Sequence, residues 1–224
     1  MITAQIASIP ERVDTLKLTV NSLINQVDLL FVALNGYDSI PSFLENNRKI
    51  VRILMDNSLG DAAKFYDVEE RRGYVLTCDD DLIYPAGYVG YMINGIKLHG
   101  GIVSLLGKIY GRPASSYRGG YTNIYRVLNA VRLDTPVDVG GTGAMAFHTD
   151  EFKVTVDDFL RPNMADLWVA RAAAAQGVKI TALAHPKGYV RHVRYHNRIW
   201  AKSAGYDKYQ TKILNSFLVN EEHA

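Results

Sequence analysis

The stretch Tyr74-Val75-Leu76-Thr77-Cys78-Asp79-Asp80-Asp81 decides the fold. Four residues of strand character run straight into three consecutive carboxylates, and a short apolar run bounded by polar residues is a buried strand. Strand and helix alternate upstream of it. Ile2 to Ser8 is a first strand closed by Ile9-Pro10, and Val13, Leu16, Val20, Leu23, Ile24 and Val27 recur with helical spacing. Leu29 to Leu34 is a second strand ended by Asn35-Gly36, Ile50 to Leu54 a third, and Gly60 to Arg72 is expected to be helical. Downstream come a helix over Ala86 to Leu98 and a strand over Gly101 to Leu106. This alternation predicts an α/β fold with a mostly parallel sheet flanked by helices. The second half is less regular. Residues 107–135 are expected to be long loops with short strands, followed by a strand at Gly143 to His148, an alanine-rich helix at Met164 to Gln176, a strand at Ile180 to Ala184 and a terminal helix at Asp207 to Leu218, capped by Asp207.

Composition narrows the function classes. The chain has 224 residues, 48% hydrophobic and 21% charged, with a net charge of +2. That is enough chain for one domain with its own core, and no repeat or linker divides it. No apolar run reaches the roughly 18 residues of a membrane span, and the start lacks a basic leader region. The single cysteine, Cys78, excludes an internal disulfide and a cysteine zinc cluster and fits a reducing cytoplasm. The charge is unevenly placed. His185 to Lys212 carries +6 and the remainder −4, an asymmetry that suits an anionic ligand near the C-terminal segment, although a solvated basic face is the alternative.

Two nucleotide signatures are absent. Ile9-Pro10-Glu11-Arg12 after the first strand has no glycine, which removes the dinucleotide fingerprint, and Gly101 to Lys108 fails the phosphate-loop spacing. The aspartate triplet remains. In open parallel sheets ligands bind at the carboxyl ends of the strands. Three adjacent carboxylates there repel one another unless a cation compensates. Mg2+ and Mn2+ take one or two carboxylates and bridge to substrate phosphates, neutralising a departing diphosphate. An acidic turn capping the helix after Pro85 is the alternative.

With these motifs in order, the sequence resembles the GT-A glycosyltransferases, close to the family-2-like enzymes of bacterial surface polysaccharides and their phage relatives. The resemblance covers about residues 2–200. It is carried by Ser8-Ile9-Pro10-Glu11-Arg12, Val32 to Tyr37, Gly60 to Phe65, Asp79-Asp80-Asp81-Leu82-Ile83-Tyr84-Pro85, Gly141 to His148 and Ala165-Asp166-Leu167-Trp168. It implies a single glycosyltransferase domain over 1–224, with a nucleotide-sugar-binding half at 1–106, an acceptor half at 107–200 and a C-terminal helix at 201–224. The donor is then a nucleotide-diphospho-sugar, in the first instance a UDP-sugar. The acceptor is a saccharide or a hydroxymethylated base in DNA.

The resemblance also distributes roles. Asp79 and Asp81 form the metal-binding pair for Mn2+ or Mg2+, with Asp79 and Asp80 also touching the donor. Pro10, Arg12 and Asn35 line the nucleotide pocket, and Asp56, Asp61 and Lys64 border base, ribose and phosphate. Lys64 as an exposed helix lysine is the competing reading. Asp166 is the acceptor-activating base, because the attacking hydroxyl must lose its proton, and direct displacement then inverts the anomeric centre. A helix-dipole aspartate is its alternative. Gly141, Thr142 and Gly143 form a loop admitting acceptor and donor sugar, with Trp168 and Trp200 as sugar platforms. His192 is the candidate third metal ligand, in competition with His185 and His196. Arg198 beside Trp200 is placed to clamp the diphosphate. Tyr110, Tyr117, Tyr121 and Tyr125, interleaved with Arg112, Arg118 and Arg126, suit sugar rings and nucleic-acid bases equally. The rival functions are a nucleotidyltransferase and a non-catalytic sugar-nucleotide or polyanion-binding module.

Overall fold

The computed structural model describes residues 1–193 and 204–218. Its centre is an eight-stranded sheet. In chain order the strands of the molecule are β1 (Ile2–Ser8), β2 (Leu29–Asn35), β3 (Ile50–Met55), β4 (Tyr74–Asp79), β5 (Leu82–Ile83), β6 (Ile102–Ser104), β7 (Gly107–Tyr110), β8 (Tyr121–Tyr125), β9 (Thr135–Val137), β10 (Val139–Gly140), β11 (Ala144–His148), β12 (Ile180–Ala182) and β13 (Arg191–His192). The large sheet has the order β3-β2-β1-β4-β11-β6-β12-β9, with β11 and β9 antiparallel to their neighbours and the rest parallel. β10-β7-β8 form a small antiparallel sheet and β13-β5 a two-stranded ribbon. The helices are α1 (Val13–Leu23), α2 (Tyr88–His99), α3 (Ala165–Ala175) and α4 (Asp207–Leu218).

The alternation of side chains along each strand explains the layers. In β4, Leu76 and Cys78 enter one core with Leu16, Val20, Tyr88 and Met92 of α1 and α2. Val75 enters the opposite core with Phe147, Trp168 and Leu214, from β11, α3 and α4. A strand covered on both faces must be apolar throughout, which is why β2 and β4 are continuous hydrophobic runs rather than alternating ones.

Two local expectations are corrected. Gly60 to Arg72 is not one helix but two 3-10 turns, Gly60–Phe65 and Val68–Glu70. Gly60 and Asp67 lie in the left-handed region at φ +55° and +54°, and Tyr66 between the turns is extended, so i→i+4 bonding cannot propagate. At the terminal helix, the Asp207 carboxylate accepts from the Arg118 N–H at 2.9 Å and Ser116 Oγ at 2.8 Å, holding a distant turn. Residues 107–135, expected to be long loops with short strands, hold the short β7–β8 pair as expected.

Candidate active site

The register of the parallel strands brings the predicted donor residues to one edge. Ala7 of β1 is level with Asp79 of β4 and with Ala33 of β2, which is level with Ile53 of β3. The segments after Ser8, Asn35, Met55 and Asp79 therefore emerge side by side at the carboxyl ends.

The aspartate triplet is compensated by two cations of the chain itself. The buried Arg12 guanidinium donates to Asp80 Oδ1 at 2.7 Å and to Asp81 Oδ2 at 3.2 Å. Lys64, only 3% exposed, donates to Asp79 Oδ1 at 2.5 Å. The competing reading of Lys64 as an exposed helix lysine is thereby corrected. Burial alone would depress the Lys64 ammonium, but Asp79 and Asp61 outweigh it and hold its pKa above the usual lysine value. Burial pushes Asp80 up to about 6 against the pull of Arg12. Asp81 is raised by burial and then by the charge of Asp79, with Arg12 and His192 opposing.

The carboxylate of Asp166 joins the same network. Asp166 lies in the first turn of α3, and its Oδ1 accepts from the Thr142 N–H and Oγ1, both at 2.8 Å. The Thr142 carbonyl in turn accepts from Thr77 Oγ1 of β4 at 2.7 Å. One residue on, the Gly143 carbonyl accepts from the Asp79 N–H at 3.0 Å and from the Tyr84 hydroxyl at 2.5 Å. Thr142-Gly143 thus ties Asp79 and Asp166 to a common frame. Asp61 completes it: Oδ2 accepts from the Ala165 N–H at 3.1 Å, at the start of α3, while Oδ1 is buried without a hydrogen-bond partner.

Gly143 is where a side chain cannot be tolerated. A Cβ there would lie 2.1 Å from Asp79 Oδ2, and Lys64 pins the other oxygen of that carboxylate. Gly143→Ala is expected to push Asp79 off Lys64 and to lower stability by about 1–3 kcal/mol, an overpacking penalty. A urea-denaturation difference below about 0.5 kcal/mol would show that the carboxylate moves aside freely.

Asp61 has a readable pH signature. Burial pushes its carboxyl up to about 6, against Lys64 and the Ala165 N–H. Because that value exceeds the unfolded value of about 3.9, the native state binds the extra proton, and this group destabilises the fold as pH rises from about 4 to about 6. Asp61→Asn keeps an acceptor for Ala165 and removes the ionisation. Relative to the parent, the variant is expected to gain about 2–3 kcal/mol between pH 4 and pH 7. Urea melts at several pH values check this, and a pH-independent difference would overturn it.

Other predicted site residues separate on inspection. His192, on β13 opposite Leu82, brings Nε2 to 3.5 Å from Asp81 Oδ2. His185 instead is buried with Nε2 bonded to the Leu105 carbonyl at 3.1 Å. Asn35 is buried, its amide donating to the Gly60 carbonyl at 2.9 Å while Oδ1 has no partner. Pro10 and Asp56 are exposed at the same edge, Asp56 accepting from the Ser58 N–H at 2.9 Å. Trp168 is corrected: it is 1% exposed, with its indole N–H on the Arg161 carbonyl, so it is a core residue and no sugar platform. Gly141 is also buried, its missing Cβ making room for Leu106, so it does not line the acceptor approach. Arg198, Trp200 and His196 lie outside the described residues. Sequence reasoning missed the clamp made by Tyr84, whose hydroxyl accepts from the Asp79 N–H at 2.9 Å while donating to Gly143. Its place three residues after Asp81 was the only signal.

Among the described residues no group of three or more His, Cys, Asp and Glu side chains converges into a ready-made cage. Asp79 and Asp81 nevertheless fit a hard divalent ion held by two carboxylates and completed by a diphosphate. The Asp79 carboxylate is 45% exposed, and its charge raises Asp81, a repulsion that a cation relieves.

The fold matches the crystal structure of S. aureus TarS 1–349 with a TM-score of 0.56 at 12% identity over 86% of this chain. It matches the same protein in complex with UDP-GlcNAc with a TM-score of 0.54 at 13% identity over 89%. Glucosyl-3-phosphoglycerate synthase from Mycobacterium tuberculosis, in complex with Mn2+, UDP and phosphoglyceric acid, matches at 0.54 and 14% identity over 98% of this chain and 78% of that one. The chain has the GT-A glycosyltransferase fold. It spans 60% of the length of the two TarS structures. No protein-family model and no curated protein matches the sequence. Within the GT-A fold, the Asp79–Asp81 turn closes the strand next to β11, and no helix among the described residues is long and apolar enough to cross a membrane.

Proposed function

We propose that this protein is a glycosyltransferase that moves a sugar from a nucleotide-diphospho-sugar, in the first instance a UDP-sugar, to an acceptor hydroxyl. The observation that carries the reading is the frame Thr77–Thr142–Gly143, which holds Asp79 and Asp166 in one network at the carboxyl edge of the sheet. Two carboxylates with separate roles, one beside the donor and one toward the acceptor, are what direct displacement at an anomeric carbon requires.

Asp166 is the base. Its Oδ1 is occupied by both Thr142 donors, which fixes the carboxylate plane and leaves Oδ2 to take the acceptor proton. Asp79 and Asp81, with His192 as a third candidate, would hold Mn2+ or Mg2+, and that ion supplies charge neutralisation for the diphosphate. Arg12 aligns the carboxylates of Asp80 and Asp81, and Lys64 aligns that of Asp79. The structural neighbours solved with UDP-GlcNAc, or with UDP and Mn2+, support the donor class.

A thermal-shift panel of nucleotide-sugars with and without Mn2+ tests the proposal. A ligand at 100 times its Kd stabilises by about 2.7 kcal/mol, so a cognate UDP-sugar is expected to raise Tm by several degrees only with metal present. Silence across all nucleoside diphosphates, or unchanged transfer by Asp81→Ala, would overturn it.

A further inference from the structure

The first turn of α3 is capped from a distant part of the chain. The residue before the helix is Met164, and no side-chain hydrogen bond from it reaches the N–H groups that a helix start leaves open. Asp61 supplies the acceptor instead: its Oδ2 takes the Ala165 N–H at 3.1 Å, across 104 positions of sequence. The turn that carries it, Gly60–Phe65, is seated from two sides. On one, the Asn35 amide at the end of β2 donates to the Gly60 carbonyl at 2.9 Å. On the other, Gly60 approaches the segment entering α3 so closely that a Cβ would lie 2.7 Å from Asn163 Oδ1 and 3.1 Å from Pro162 Cβ.

The same turn reaches both carboxylates of the proposed reaction. Lys64 holds Asp79 at 2.5 Å, and Asp61 holds the residue that precedes Asp166. Asp166 is therefore anchored twice: Thr142 fixes its carboxylate, and Asp61 fixes the backbone from which it projects. An uncapped first turn frays, and a base carried on that turn loses its place with it. A serine or asparagine at position 164 would cap the helix locally. The borrowed cap does something a local one cannot, because it ties α3 to the turn that also holds the Lys64–Asp79 pair. It does so although Asp61 Oδ1 is left buried without a hydrogen-bond partner, which by itself disfavours the fold.

We infer that Asp61 is a positioning residue rather than a nucleotide contact: it sets the start of α3 so that Asp166 meets the acceptor hydroxyl at the donor held beside Asp79. This rests on the glycosyltransferase reading of the site and adds to it the device that spaces base and donor. The Ala165 N–H needs an oxygen and not a charge. Asp61→Asn therefore keeps the function, and Asp61→Ala loses it.

A double-mutant cycle in transfer kinetics tests this. Asp61→Ala is expected to lower kcat about 10–100-fold, the scale of a base displaced by an ångström or less, with KM for the UDP-sugar unchanged. Asp61→Asn is expected to restore kcat to within about threefold of the parent, since Asn and Asp cap helices about equally. In an Asp166→Asn background, Asp61→Ala is expected to change kcat less than about twofold, because the base it acts through is gone. Losses that multiply would overturn the inference in favour of a general structural role, and a raised donor KM with unchanged kcat would return Asp61 to the nucleotide pocket. Amide hydrogen exchange at Ala165 follows the cap without any transfer assay. Protection is expected to fall about fivefold in Asp61→Ala and to hold in Asp61→Asn, and unchanged protection in Asp61→Ala would also overturn the inference. The two readings fail differently. If Asp166→Asn abolishes transfer and Asp61→Ala does not, only the positioning role falls. If Asp166→Asn transfers like the parent, the base assignment falls and takes the positioning role with it.

Discussion

Lys64→Met is expected to destabilise the protein by about 3–5 kcal/mol, because removing one partner of a buried charge network leaves the others uncompensated. Lys64 pairs with Asp79 at 2.5 Å and attracts Asp61, whose second oxygen already lacks a hydrogen bond. Methionine fills the space of the aliphatic stem, so the loss isolates charge from packing. The deficit carries a direction with pH. Lys64 lowers the pKa of Asp61, which sits at about 6 in its presence, so the variant's Asp61 titrates higher still. Below about pH 6 native Asp61 is protonated with or without Lys64 and its contribution cancels, so the deficit grows from about pH 6 upward. Urea melts at pH 4.5 and pH 7.5 check both parts. A loss under 1 kcal/mol at pH 7.5, or a larger loss at the lower pH, would remove Lys64 from the centre of the network.

The second large effect is on turnover. Asp166→Asn is nearly isosteric and keeps an oxygen for both Thr142 donors. On the proposed reading it removes only the capacity to accept the acceptor's proton. Transfer is expected to fall about 10²–10⁴-fold, the usual contribution of a positioned base. UDP affinity and Tm are expected to stay close to those of the parent, because Asp79, Arg12 and Lys64 are untouched. Transfer within tenfold of the parent would assign Asp166 to helix-dipole stabilisation instead.

These two residues were visible in the sequence to different degrees. Asp79-Asp80-Asp81 after a buried strand was legible because a strand end followed by a charge cluster is a local pattern, and the topology of a parallel sheet places such ends together. Asp166 was legible only as one member of an ordered set of motifs. Lys64 was ambiguous: composition and spacing do not distinguish a buried lysine from an exposed one. Burial depends on whether Asp61 and Asp79, 3 and 15 positions away, converge on it. Trp168 was misread for the complementary reason. An aromatic beside a proposed catalytic aspartate suits a sugar, yet two positions along a helix turn a side chain by about 200°, and that face of α3 meets the core.

Local chemistry in the sequence determined the alternating strands, the apolar character of β2 and β4, the absence of a dinucleotide loop and the acidic turn at the sheet edge. These depend on nearest-neighbour periodicity and on residue types that no packing can change. Only the tertiary structure decided which cation meets which carboxylate, and that Gly143 is small because Asp79 occupies its Cβ position. Such pairings depend on distances between segments far apart in the chain, set by sheet register and helix packing, and charge counting along the sequence sees only their sum.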